Sequence, residues 1–203
     1  MKSFSFALCL FSFISAATAQ TPVKPKTMDL GNIVSDSGSV NRDMGTRFGL
    51  APLNSSTGVI EIRLFSNIGF PGAQCVVLQY DKTWKATKYK LDAKDATIRT
   101  VLKPASGIEP IVRSLIALNI FSLPTQQALN SGNYKLDLAT NTVNASAMHV
   151  SDAPCYYVQF KAGNSSREYS YCDPKAYAAF YKSQREYSDF ANILKAFAKL
   201  ELK

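Results

Sequence analysis

"CYYVQFKAGNSSREYSYC", residues 155–172, places cysteines at its two ends, Gly163-Asn164 at its midpoint and four tyrosines between. Gly163-Asn164 is a favoured two-residue turn, because glycine takes the positive φ that a type II′ turn needs at its first central position. With that turn, residues whose numbers sum to 327 face each other, so Cys155 falls opposite Cys172. Counting outward by alternation from the hydrogen-bonded pair Ala162 and Ser165 makes the cysteines a non-hydrogen-bonded pair. Such pairs bring Cα atoms to about 4.5 Å, close to the lower end of disulfide geometry.

The same register sorts the side chains. Tyr156, Val158, Phe160, Tyr169 and Tyr171 share one face. Gln159, Lys161, Ser166, Glu168 and Ser170 share the other with Tyr157 and the cysteines, and a one-residue slip would scramble this division. A redox reading finds neither Cys-x-x-Cys spacing nor a cation cluster to lower a thiol pKa. The segment therefore reads as a hairpin stapled by a Cys155–Cys172 disulfide, with its aromatic face toward a core. Cys75, between Gln74 and Val76 on an apolar run, reads as a buried small hydrophobe; a covalent dimer through it is the alternative.

Working outward, "VIEIRLFS" (59–66) alternates, with Ile60, Ile62 and Leu64 on one face and Glu61 and Arg63 on the other, and reads as a strand. Order is expected to begin at Val59. "QCVVLQY" reads as a buried strand, Asp81-Lys82 as a turn, and "TWKATKYKL" (83–91) as its hairpin partner. "ATIRTVLK" is a further strand. Pro110 suits a first helical position, and Ile111, Leu115 and Leu118 at helical spacing give a short helix ending near Asn119. "GNYKLDLAT" alternates again, and "NTVNASAMHVSDAP" reads as a polar connection. Asp173-Pro174 is an N-cap with proline following it. Ser183 and Glu186 have capping-box spacing, so the C-terminus is expected to hold two helices broken near Lys182. The fold class is α+β: a mostly antiparallel sheet of six or seven strands with a short internal helix and C-terminal helices packed on one side.

The first nineteen residues read as a signal peptide cleaved after Ala19. Lys2 starts it, Phe4–Ile14 is its apolar run, and Ala17-Thr18-Ala19 is the small-x-small site. The run is too short to span a bilayer, which takes about 20 apolar residues. Cleavage takes Lys2 from the 203-residue chain and lowers its formal charge from +8 to +7. Residues 20–57 read as a flexible, loop-rich leader, and 58–203 as one α+β domain. The expected location is secreted or periplasmic, where disulfides are permitted. Asn54, Asn144 and Asn164 sit in glycosylation sequons, which matter only in a eukaryotic secretory route.

Few chemical classes find support. His149 is the lone histidine, and in "MHVSD" it reads as an exposed loop residue. It cannot build the usual zinc sites, and no Gly-x-Ser-x-Gly elbow frames a nucleophile. "GLAPLNSSTG" lacks the P-loop lysine. No cofactor and no metal are expected. Seven basic residues lie between Lys82 and Lys103 (Lys82, Lys85, Lys88, Lys90, Lys94, Arg99, Lys103) against Asp92 and Asp95. Such a stripe either attracts an anionic partner or serves as a solvated face that blocks strand pairing.

Alternation puts Trp84, Lys88 and Lys90 on one face, opposite Tyr89 and Leu91. Aromatic and basic residues interleaved in this way also occur on single-stranded nucleic-acid surfaces, but an exported chain rarely meets nucleic acid. Trp84, Lys88, Lys90 and Tyr157 are thus the candidate binding residues, and an acidic glycan, a lipid headgroup or another envelope protein is the expected partner. Tyr156, Tyr169 and Tyr171, packed under Tyr177, Tyr181 and Tyr187, read as the sheet–helix interface. The expected function is that of a non-enzymatic binding or interaction protein for an anionic or carbohydrate ligand. The alternative is a hydrolase acting on an envelope polymer through two carboxylates, and a purely structural role is a third reading.

Overall fold

The computed structural model describes residues 29–30, 42–131, 134–145, 148, 150 and 153–202. The expected signal peptide and His149 lie outside them. After a short helix α1 (Arg42–Thr46) and a 3₁₀ turn (Leu53–Ser55) come strands β1 (Ile60–Ser66), β2 (Gln74–Asp81), β3 (Thr83–Leu91) and β4 (Thr97–Leu102). Helices α2 (Glu109–Ala117) and α3 (Gln126–Ser131) follow, then the small pair β5 (Tyr134–Asp137) and β6 (Thr142–Ala145). Strands β7 (Cys155–Ala162) and β8 (Ser165–Cys172) lead into α4 (Pro174–Phe180), α5 (Arg185–Ala198) and a closing 3₁₀ turn (Lys199–Glu201). Six strands form one antiparallel sheet in the order β4-β3-β2-β1-β7-β8, and β5 and β6 form a separate two-stranded ladder. The architecture is α+β.

The hairpin has the register read from its turn. Cys155 pairs with Cys172 and Ala162 with Ser165, and Gly163 takes φ +58°. The two cysteines form a disulfide, with Cα atoms 3.9 Å apart. Val158, Phe160, Tyr169 and Tyr171 lie buried on one face with Ile60, Ile62, Leu64, Val76 and Leu78 of the neighbouring strands. Helix α5 covers them. Its Tyr187, Phe190, Ile193 and Phe197 recur three or four residues apart and are all buried, the stripe an amphipathic helix presents to a sheet.

Tyrosine rings do much of this packing and tyrosine hydroxyls hold loops. Tyr171 stacks on Phe190 with centroids 4.3 Å apart, and Tyr181 on Tyr187 at 5.7 Å. Tyr169 and Tyr171 donate to the carbonyls of Ile120 and Pro124 at 2.8 and 2.7 Å. Two residues before Tyr169 on β8, Arg167 Nη1 donates to Leu123 O at 2.5 Å. Gln126 then pairs with both the amide and the carbonyl of Cys172. Residues 120–126 thus cover β8, a sheet edge that would otherwise offer open backbone groups. The opposite edge, β4, is exposed at five of its six residues.

Two expectations need correction. Order begins before Val59, because Met44, Phe48 and Leu53 are buried. Met44 and Phe48 join Phe65, Ala73, Cys75, Val77 and Leu91 in a second apolar cluster on the face away from α5. Glu61 and Arg63, on that same face, are 4% and 3% exposed. They pair at 2.6 Å (Arg63 Nε to Glu61 Oε1). Segment 42–57 seals them in: Arg63 Nη2 donates to Ala51 O at 2.9 Å, Ser56 Oγ donates to the Glu61 carboxylate, and Lys161 Nζ donates to Ser56 O at 2.8 Å. A side chain at Gly45 would meet the Arg63 guanidinium at 3.0 Å, so glycine is what lets α1 lie against it. Finally, the stretch read as a polar connection contains β6.

At the C-terminus the two helices break near Lys182 as expected, and Asp173 caps α4 through the amide of Ala176. The Ser183–Glu186 box does not form, and Gln184 occupies the N-cap of α5 without a side-chain cap. Cys75 is free and buried. Burial pushes its thiol well above the ordinary value, against a smaller opposing pull from Arg63, so it stays protonated and unreactive at neutral pH. Among the described residues no helix is long and apolar enough to cross a membrane.

Candidate functional site

The tight β2–β3 turn places two aromatic rings side by side. Tyr80 and Trp84 are cross-strand partners flanking Asp81 and Thr83, with Lys82 at the tip at φ +68°. Their ring centroids lie 5.1 Å apart at 48°. The chain returns past them after β4 and turns at Pro104–Gly107, where the Gly107 amide donates to Pro104 O at 2.9 Å. Gly107 adopts φ +75°, which directs the chain into α2, and no side chain caps that helix start.

Between the hairpin tip and the start of α2 lies a cleft of about 480 Å³, within the range of small-molecule sites. Tyr80, Trp84, Leu102, Pro104 and Ile108 give it apolar walls, and Lys82, Lys103 and Arg113 supply cations. Its only carboxylate, Glu109, holds Arg113 at 2.5 Å across one helical turn. Lys82 and Lys103 have no ion-pair partner among the described residues and are exposed. The cleft is therefore aromatic and apolar within and positively charged at its rim. Trp84 Nε1 is a buried donor without a hydrogen-bond partner among the described residues, an uncommon condition for a buried indole.

The structure separates the four residues that the sequence grouped. Trp84, Lys88 and Lys90 do share a face of β3, and Tyr89 and Leu91 lie on the opposite one, within the second cluster. That shared face is the one that carries the helices. Lys88 is committed there, donating at 2.7 Å to both carboxylate oxygens of Glu201. Lys90 is exposed and lies outside the cleft. Tyr157 is on the far face beside Phe65. It lines a separate hollow of about 220 Å³ with Asn67, Ile68, Phe70, Ala153, Pro154 and Cys155.

Lys82 and Lys103 belonged to the basic stripe in the sequence, but strand alternation could not show that they meet. They come from a turn and from a loop, where no periodicity applies. Tyr80 and Arg113 read only as strand and helix residues. The register of a hairpin places Tyr80 opposite Trp84 once the turn is known, so that contact had a sequence signal. The approach of α2 to the hairpin tip had none.

Among the described residues no group of three or more His, Cys, Asp or Glu side chains could hold a metal ion. A two-carboxylate hydrolysis needs paired acids, and the cleft holds one, already engaged by Arg113. Comparison with protein-family models, with curated proteins and with solved structures finds no match to this chain, so the functional argument rests on the cleft itself.

Proposed function

We propose that this is an exported, non-enzymatic binding protein that takes an anionic ligand in the Trp84 cleft. The observation that carries the reading is the coincidence of an aromatic wall with two lysines that no carboxylate neutralises among the described residues. A cleft with low-dielectric walls and one sign of charge concentrates ligands of the opposite sign. Trp84 was singled out from the sequence, and its partners in this reading are Lys82 and Lys103 rather than Lys88 and Lys90. Export is supported by the signal-like first nineteen residues and by the disulfide, a bond that persists in oxidising compartments.

A thermal-shift screen across anions, glycans, lipid headgroups and metals tests this. A ligand present at a hundred times its Kd stabilises by about 2.7 kcal/mol, which for a chain of this length raises Tm by roughly 5–10 °C. Anions are expected to give such shifts with the wild-type protein. The double variant Trp84→Ala, Lys103→Gln should unfold at a lower temperature, because Trp84 packs against the main core, and should show no ligand-induced shift. An undiminished shift in a folded double variant would refute the assignment.

A further inference from the structure

Resting on the cleft as the ligand site, we infer that its ligand is a ring-bearing anion: a planar aromatic ring carrying one carboxylate or phosphate group. The wall chemistry points to the ring. Tyr80 and Trp84 meet at 48° rather than stacking flat, and Leu102, Pro104 and Ile108 complete an apolar lining. A flat ring enters such a lining edge-on or offset against the indole, the arrangements aromatic pairs prefer. The rim chemistry points to the charge. Lys82 and Lys103 reach the cleft from two separate segments, and Arg113 is already occupied by Glu109. Two unpaired ammonium groups suit a single compact anionic group, to which lysine binds as a point charge.

Other ligands fit less well. A neutral sugar needs several donors and acceptors around its hydroxyls. Among the described residues the lining has no Asn or Gln, its one carboxylate is engaged, and Thr83 is its only hydroxyl besides that of Tyr80. A divalent cation would meet two lysines and one carboxylate that is already paired. An inorganic anion would satisfy the lysines but leave the apolar walls without a partner. The start of α2, which no side chain caps, adds a favourable dipole for negative charge within its first turn. The N–H of Trp84, on the aromatic wall, is a buried donor without a hydrogen-bond partner among the described residues.

Trp84 is the only tryptophan in the chain, so its fluorescence reports on this cleft alone. The test titrates the full chain with phenyl phosphate, benzoate, inorganic phosphate, acetate, benzyl alcohol and a sulfated oligosaccharide. Phenyl phosphate or benzoate is expected to change the emission saturably, with a Kd at least tenfold below those of the ring-free anions and of benzyl alcohol. The stronger of the two identifies the anionic group. Lys82→Gln and Lys103→Gln, both exposed positions that keep Trp84, should each weaken that binding about tenfold, the loss of one charge-assisted hydrogen bond. Equal affinity for benzyl alcohol would remove the charge from the inference, and equal affinity for inorganic phosphate would remove the ring. If only the sulfated oligosaccharide changes the emission, the cleft remains a ligand site and the ring-bearing anion is wrong. If no compound changes it while the protein stays folded, both readings fall.

Discussion

Replacing Arg63 with alanine should lower the unfolding free energy by about 3–5 kcal/mol, the largest loss expected from any single charged residue. The reason is the carboxylate left behind. Glu61 is 4% exposed and receives Arg63 Nε at 2.6 Å. Without the guanidinium it becomes a buried charge served, among the described residues, only by Ser56 and, at 3.3 Å, by Gln79 Nε2, and removing one member of a buried pair costs that much. The same substitution frees the carbonyl of Ala51. Segment 42–57 should therefore loosen as well, and limited proteolysis should cut there before the rest of the chain. The Glu61→Gln, Arg63→Met pair, which removes both charges, should recover much of the loss in chemical denaturation. If Arg63→Ala costs under 1 kcal/mol, the network does not hold the segment as described.

Phe190→Ala is expected to cost a similar 3–5 kcal/mol, for a different reason. The ring is fully buried and stacks on Tyr171 at 4.3 Å, with the edge of Tyr169 at 6.1 Å and Tyr156 at 6.5 Å on its flanks. Deleting it removes the apolar transfer energy and leaves a cavity that a sheet pinned by a disulfide cannot collapse to fill. Tyr171 would also lose the surface that orients its hydroxyl toward Pro124, so the cover over β8 should weaken too. Thermal unfolding should show a fall on the order of 10 °C. Phe190→Leu should recover most of it, and a small effect of Phe190→Ala would mean that α5 is not the principal cover of this face.

These two sites also show where the sequence was legible. Phe190 falls on a stripe with Tyr187, Leu194 and Phe197, and a helical period is enough to place it against a sheet. The Cys155–Cys172 hairpin was legible because the glycine of a two-residue turn sets the register of everything around it. Arg63 was not legible. Alternation assigns it to the face opposite Ile62 and Leu64, which is correct, but nothing local says that a second layer covers that face. The cover comes from Met44, Phe48 and Leu53, in a stretch rich in Pro, Gly, Ser and Asn whose apolar residues follow no period. Likewise β6 is a strand of four residues, too short and too polar to stand out.

The candidate site divides in the same way. Trp84 and the lysine-rich stretch were visible as residue types, and the Asp81-Lys82 turn brings Tyr80 to Trp84 through hairpin register. The choice of Lys82 and Lys103 over Lys88 and Lys90 depends on two long-range events. The C-terminal Glu201 takes Lys88, and the turn at Gly107 brings α2 to the hairpin tip. Contacts that join residues so far apart in sequence leave no pattern in either segment.

The most direct measurement is hydrogen–deuterium exchange of the full chain with and without a ligand that raises its Tm. Ligand in the Trp84 cleft should slow exchange of backbone amides at 80–84 and 103–113 and leave 153–157 and 42–57 unchanged. Slowed exchange confined to 153–157 and 67–70, around Tyr157 and Phe70, would move the binding site to the opposite face of the sheet and contradict the account.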